Sequence, residues 1–267
     1  MNKNSAVYKS IRSCYYGIKD APKNYKKYRD TRSIKKFKNK YNGQTCFVIG
    51  NGPSMRFADL DRIHALGIAS FACNKIYLGF QETQWRPTFY FISDSKIIKD
   101  VNIKDVDVPY QNMFFPREYK DIVKQGNYYE KLNHDWLHSD KFSTDAYQGV
   151  YGRETVVIEM VQLAYYMGFS TVYIIGVDFS YNMQSVDKKN LTFVSGGNNY
   201  FIKGYEKKGE VINLGNMESN ILGFKAARKA FEEDHRNIYN ATRGGKLEVF
   251  IRKNLDDVFA DIERGKQ

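Results

Sequence analysis

Gly50, Asn51, Gly52, Pro53 and Ser54 end the apolar run Cys46 to Ile49 in a corner almost free of bulky side chains. A buried strand that leaves through such a corner can turn backbone N–H groups toward a ligand, and phosphate is the ligand those groups suit best. Gly50 and Gly52 permit close approach, Pro53 stiffens the turn, and Ser54 offers a hydroxyl and an N-cap for a following helix. A tight strand-to-helix turn with no ligand uses the same residue types, so both readings stand at this point. Three more apolar runs stop in the same manner. Ile68 to Ala72 ends at Cys73-Asn74-Lys75, Thr88 to Ile92 at Ser93-Asp94-Ser95, and Thr171 to Ile175 at Gly176-Val177-Asp178-Phe179. Polar residues just past the carboxyl ends of parallel strands are where open α/β sheets hold ligands, so Asn51, Asn74, Asp94 and Asp178 are expected to share one crevice. Helix caps and local turns place the same residue types at strand ends.

The elements that must position these residues alternate between strand and helix. A helix is expected from Ser54 to about Leu66, another from Arg153 to Met167, and a third from Met217 to about Asp234, with further strands at Asn112 to Phe115 and Asn237 to Asn240. In the second helix Val157, Met160, Val161, Ala164 and Tyr165 recur at i, i+3, i+4 spacing and face a sheet. The fold class expected is α/β: a Rossmann-like, mostly parallel sheet with helices on both faces, a GT-A-like variant. It carries a lid at about 180–215 and a basic N-terminal helical segment. The lid stretch is polar and too long for an idle connection. Residues 1–42 are expected to form a basic amphipathic extension and 43–267 one nucleotide-sugar-binding domain. Two weaker motifs are present as well: Asp105-Val106-Asp107, a metal-binding Asp-x-Asp without a preceding strand, and Thr242-Arg243-Gly244-Gly245-Lys246, two cations beside two glycines suited to an anion.

Charge is concentrated at one end. Residues 1–40 hold 13 Lys/Arg against 2 Asp/Glu, whereas the remaining 227 residues hold 28 of each sign. Tyr8, Ile11, Tyr15 and Ile18 fall at helical spacing among Lys9, Arg12 and Lys19, a pattern that suits an anionic membrane surface. A second basic run, Lys23 to Lys40, offers Tyr25, Tyr28, Ile34 and Phe37 as packing residues, and a helix folded onto the body explains it as well as membrane docking does. No nucleic-acid motif accompanies the charge, so nucleic acid is not an expected partner. Three cysteines, Cys14, Cys46 and Cys73, imply buried thiols in a reducing compartment. No apolar run reaches the length of a membrane span, which points to a cytoplasmic protein.

Taken together, Ile49-Gly50-Asn51-Gly52-Pro53-Ser54, then Cys73-Asn74, then Arg153-x-Thr155 ahead of Met167-Gly168-Phe169, then Tyr173-Ile174-Ile175-Gly176-Val177-Asp178-Phe179 resemble bacterial sialyltransferases of glycosyltransferase family 42. They also resemble the wider domain family named for archaeal 6-hydroxymethylpterin pyrophosphokinase. Order and spacing agree over roughly residues 45 to 250. The resemblance implies a sialyltransferase-like enzyme that uses a CMP-linked sugar acid without a metal or other cofactor. By position, Gly50, Asn51, Gly52, Ser54, Asn74, Ser93, Asp94 and Gly176 would contact the nucleotide or donor sugar, and Arg153 would stand near the donor. Tyr181 is a shifted counterpart of a tyrosine that helps the CMP phosphate leave; a second tyrosine has no clear match, and Tyr205 in the lid is kept as a candidate. That family uses a lid histidine as base, and the lid segment Gly196 to Tyr205 has none. His64, His134, His138 and His235 lie elsewhere; His134 or His138 could reach the site from the middle segment, and Asp178 is the other candidate base. The leading expectation is transfer of sialic acid or a related sugar to a bacterial surface glycan by an enzyme peripheral on the inner membrane. The alternatives are Mg²⁺-dependent diphosphate transfer to a pterin alcohol, with Asp94 and Asp178 as ligands, and a non-catalytic nucleotide-binding or scaffold protein. A homo-oligomer is compatible with the sequence.

Overall fold

In the computed structural model, residues 28–132, 141–152, 155–187, 192–207, 209–213 and 217–265 are described. Arg153, His134, His138 and the stripe from Tyr8 to Ile18 lie outside them. Eight parallel strands form the central sheet: β1 (Thr45–Ile49), β2 (Ala69–Cys73), β3 (Phe89–Phe91), β4 (Met113–Pro116), β5 (Asn127–Tyr129), β8 (Thr171–Ile175), β12 (Asn237–Asn240) and β13 (Ile251–Arg252). Their spatial order is β13-β12-β8-β1-β2-β3-β4-β5. The chain runs outward from β1 to β5 and then returns to the other side of β1 with β8, so the order reverses between β1 and β8. A crevice opens beyond the strand tips at such a reversal. Here it falls between Gly50 and Gly176, because β1 and β8 pair from Thr45↔Thr171 to Ile49↔Ile175.

Both faces of the sheet are buried, which explains why its strands read as unbroken apolar runs rather than alternating ones. Side chains still divide with a period of two. Cys46 and Val48 enter one core with Val172 and Ile174, while Phe47 and Ile49 enter the other with Ile175. Helices α3 (Val156–Tyr166) and α4 (Met217–Glu233) cover the first face; α1 (Phe57–Ala65) and α5 (Leu255–Arg264) cover the second. Helix α3 is buried from Val157 to Tyr166, including Glu159 and Gln162, so it is a core helix and not a half-exposed one. The short helix α2 (Ser95–Asp100) follows β3.

From residue 28 the basic segment is folded onto the domain. Ile34 and Phe37 are fully or almost fully buried in the first core, and Phe37 packs on Phe89 and Phe114, while Arg32, Lys35, Lys36, Lys38 and Lys40 remain exposed. The stretch expected as a lid is built as an antiparallel three-stranded sheet of β9 (Met183–Asp187), β10 (Thr192–Ser195) and β11 (Val211–Asn213), in order β11-β10-β9. A pair of two-residue strands, β6 (Lys131–Leu132) and β7 (Val150–Tyr151), lies beside the main sheet order. Among the described residues no helix is long and apolar enough to cross a membrane.

Candidate functional site

The four polar strand ends meet. A cavity of about 710 Å³ is lined by Asn51, Asn74, Ser93, Asp94 and Asp178, with Tyr181, Tyr200 and Tyr205 from the segment that carries the small sheet. Gly50, Gly52 and Gly176 also line it.

The glycine corner is used differently from the phosphate cradle that its sequence suggests. Gly50 N donates to Ile175 O at 2.8 Å, and Gly52 N to Gly176 O at 2.9 Å. A Cβ on Gly50 would overlap the carbonyl oxygen of Gly176; one on Gly52 would overlap Asp178 Oδ2 and lie 2.8 Å from Gly176 O. These two glycines therefore let the tips of β1 and β8 close on each other, and their N–H groups do not face a ligand. Ser54 is not the cap of α1 either, since that helix begins after Arg56. Its hydroxyl donates instead to Asp178 Oδ2 at 2.8 Å.

Asp178 is thus a buried carboxylate at the switch point. Burial raises its pKa above the ordinary 3.8, and the Ser54 hydrogen bonds offset part of that rise. The unfolded chain holds this proton more weakly than the native one. The group's contribution to stability is therefore largest below about pH 3.8 and declines as pH rises through the higher native value. Asp178→Asn removes this dependence, and its urea midpoint is expected to gain on wild type as pH rises above about 3.8 and to level off once the native carboxyl is ionised; a parallel pair of curves would contradict the assignment.

Asn51 and Asn74 show a shared feature. Asn51 Nδ2 donates to Cys73 O at 3.1 Å and to Tyr205 Oη at 3.3 Å, which fixes the amide's orientation. Its Oδ1 is buried with no protein partner, as is Asn74 Oδ1. Asn74 sits at φ 55°, a left-handed conformation that Asn tolerates better than most residues. Tyr205 holds Asn51 in place, stacked at 3.9 Å on Tyr200, and Lys75 Nζ holds the backbone oxygen of Tyr205 at 3.1 Å. Tyr181 stands half-exposed at the cavity edge. Asp94 acts as the cap of α2, accepting from Lys96 N at 2.7 Å and Ile97 N at 3.0 Å.

Ser93 belongs to a network that the sequence does not reveal. Its hydroxyl donates to Glu159 Oε1 at 2.9 Å and accepts from Lys131 Nζ at 3.0 Å; Lys131 Nζ is 3.2 Å from the same carboxylate, and Tyr129 donates to the other oxygen. Glu159 is fully buried on α3, while Lys131 lines the cavity. An acidic residue in the first turn of an apolar helix reads as a solvated charge, and only the contacts of Glu159 with Ser93, Tyr129 and Lys131 show otherwise.

The remaining sequence candidates fall away from the cavity. Asp107 pairs with Arg86 at 2.7 Å, and Asp105 accepts from the side chain of Asn102. His64 and His235 are exposed, neither lining the cavity. Arg243, read as half of an anion site, grips buried Asp59 at 2.6 and 2.8 Å, and Lys246 N donates to Asp178 O at 2.7 Å. The turn at 242–246 therefore braces the Asp178 corner. Arg243→Ala is expected to lose about 2 kcal/mol in urea titration by leaving Asp59 uncompensated, while ligand-induced stabilisation stays within error of wild type.

The description 6-hydroxymethylpterin diphosphokinase MptE-like matches residues 19–184, the span that carries β1 to β8 and the Asp178 corner. The chain belongs to this family. In three dimensions the MptE-like chain is similar to a MAf glycosyltransferase from Magnetospirillum magneticum AMB-1, with 15% identity, a TM-score of 0.48, and 98% of this chain covering 46% of that one. It is also similar to the sialyltransferase CstII from Campylobacter jejuni, solved with a substrate analogue, cytidine-5'-monophosphate. There identity is 16%, the TM-score 0.47, and coverage 79% of this chain and 85% of that one. The chain thus spans less than half the length of the first of these. No curated protein sequence matches it.

Proposed function

We propose that this MptE-like protein is a glycosyltransferase that takes a sugar from a nucleotide donor, with a CMP-linked sialic acid or a related sugar as the donor class and a bacterial surface glycan as acceptor. The observation that carries the reading is the pair of buried, unpartnered carbonyl oxygens of Asn51 and Asn74 in one cavity at the sheet's switch point. Such oxygens accept hydrogen bonds only. A nucleobase amino group or a sugar hydroxyl satisfies them, whereas a phosphate offers no proton. The order of the strand-end motifs supports the same reading.

In this reading Asp178, its pKa raised by burial, takes the proton of the acceptor hydroxyl, a task that favours a carboxylate nearer to neutrality. Tyr181 donates to the departing phosphate, and Lys131, held by Glu159 and Ser93, supplies a positive charge from the cavity wall. Tyr205 acts through Asn51 as a positioning residue. No metal or other cofactor takes part in the proposed transfer.

The family match favours a second reading, diphosphate transfer to a pterin alcohol, which calls on Mg²⁺. The acidic groups it would use are already engaged. Asp94 caps α2 and Asp178 accepts from Ser54, and among the described residues no three His, Cys, Asp or Glu side chains are grouped to hold an ion. The residues present do not fit that metal well.

A thermal-shift series with CMP, CDP, UDP, GDP and ATP, with Mg²⁺ or with EDTA, separates the two. Cytidine nucleotides are expected to raise the melting temperature by several degrees in EDTA. Stabilisation by ATP that requires Mg²⁺ would favour diphosphate transfer, and indifference to every nucleotide would favour the scaffold. We further propose peripheral attachment to the inner membrane through Lys36, Lys38, Lys40 and the segment before them, each cation near an anionic surface adding about 1 kcal/mol. Co-sedimentation with phosphatidylglycerol vesicles that survives charge reversal of those three lysines would count against their part in it.

A further inference from the structure

Asn220 has no place in the site as read so far. It lies near the start of α4, only 6% exposed, and its Oδ1 has no hydrogen-bond partner although the residue lines the cavity. Buried acceptors without a donor are uncommon in folded proteins and call for a specific account. About one helical turn further on, Phe224 lines the same wall, with its ring 6.2 Å from that of Phe179 in an edge contact. Phe179 is held at φ 53°, a conformation that bulky residues avoid and that collects where surrounding packing fixes a functional corner. Helix α4 therefore brings one acceptor oxygen and an apolar ring to the Gly176–Phe179 end of the cavity.

We propose that Asn220 Oδ1 accepts a hydrogen bond from a sugar hydroxyl of the ligand, and so helps select a saccharide beside the nucleotide that Asn51 and Asn74 hold. Resting on the nucleotide-sugar reading above, this adds a residue that reads the sugar itself. The oxygen needs a donor, and a sugar hydroxyl both gives its proton to Oδ1 and can accept from Nδ2 of the same amide, whereas an ionised phosphate or carboxylate leaves Oδ1 unsatisfied. The hydroxyl belongs either to the donor sugar or to the acceptor saccharide; the chemistry is the same, and the two are separated by experiment.

The test is calorimetric titration of the full chain with CMP, with CMP-N-acetylneuraminic acid, and with lactose in the presence of CMP, for wild type and Asn220→Leu. Leucine matches asparagine in size and removes the acceptor. Affinity for CMP is expected to stay within about twofold, while affinity for one of the saccharide-bearing probes falls about tenfold. Loss with the CMP-linked sugar assigns the donor, and loss with lactose assigns the acceptor. The unliganded Asn220→Leu variant is expected to melt at or above the wild-type temperature, because an unsatisfied buried oxygen has been removed. A fall of several degrees would mark Asn220 as a structural residue and overturn the proposal, as would wild-type affinity for both saccharide probes. Should Asn220→Leu fail to fold, Asn220→Ala carries the same comparison. Wild type that binds none of the probes overturns the nucleotide-sugar reading and this proposal with it; wild type that binds them, with Asn220→Leu unchanged, overturns this proposal alone.

Discussion

Gly50→Ala is expected to destabilise the domain by about 3 kcal/mol and to abolish nucleotide-induced stabilisation. The added methyl would overlap Gly176 O and come within 2.8 Å of Val177 Cγ2 and 2.9 Å of Gly176 C. The neighbour that must move is backbone, so a side-chain rotation does not relieve the overlap. The tips of β1 and β8 would have to part, breaking Gly50 N to Ile175 O and Gly52 N to Gly176 O. Asp178 would then lose its seat against Ser54. Strand separation at this point also moves Asn51, so the site fails together with the fold. Gly265→Ala is the control. There the backbone is at φ −71° and an added Cβ meets only ordinary contacts at 3.6 and 3.7 Å. It is expected to be neutral or to stabilise by up to about 0.5 kcal/mol. Urea midpoints with and without CMP measure both variants. Wild-type behaviour in Gly50→Ala would mean that the two strand tips are not closed on each other.

The strand-end residues were legible because a parallel sheet between two helical layers leaves its own signature. Its strands are apolar throughout, and each run stops at a polar residue where the chain leaves the core. Asn51, Asn74, Asp94 and Asp178 needed no further signal to be grouped in one crevice. What their side chains do was not legible, because capping, bracing and ligand binding draw on the same residue types. Asp94 turns out to cap α2, and the Gly50 and Gly52 amides turn out to face the neighbouring strand tip. Other features depend on contacts between distant segments. The polar composition of 180–215 reads as a loop, yet consecutive residues pair across three short antiparallel strands. The same holds for β13 and α5, whose short apolar pattern after the Arg243 turn was not read as structure. Asn220 and Glu159 were missed for one reason: a polar residue on a helix is ordinarily solvated, and only the packed structure shows which ones are enclosed.

Glu159 supports the second large effect. Glu159→Ala is expected to lose about 4 kcal/mol, because three groups lose a partner at once: Lys131 Nζ, the Ser93 hydroxyl and the Tyr129 hydroxyl. Lys131→Met is expected to lose nearly as much, since it leaves a fully buried carboxylate without its cation. Glu159→Gln combined with Lys131→Met removes both charges and keeps most of the hydrogen bonds. The double variant should therefore lose much less than the summed losses of Glu159→Gln and Lys131→Met measured singly, with a coupling of about 2 kcal/mol in that double-mutant cycle. Stability and binding then part company. The double variant folds but has lost the cavity lysine that Glu159 holds, so CMP affinity is expected to stay about tenfold below wild type, with a weaker dependence on salt. Additive losses in the cycle would show that the ion pair is not coupled. Full CMP affinity in the folded double variant would show that Lys131 carries structural weight alone, and the phosphate would need another partner.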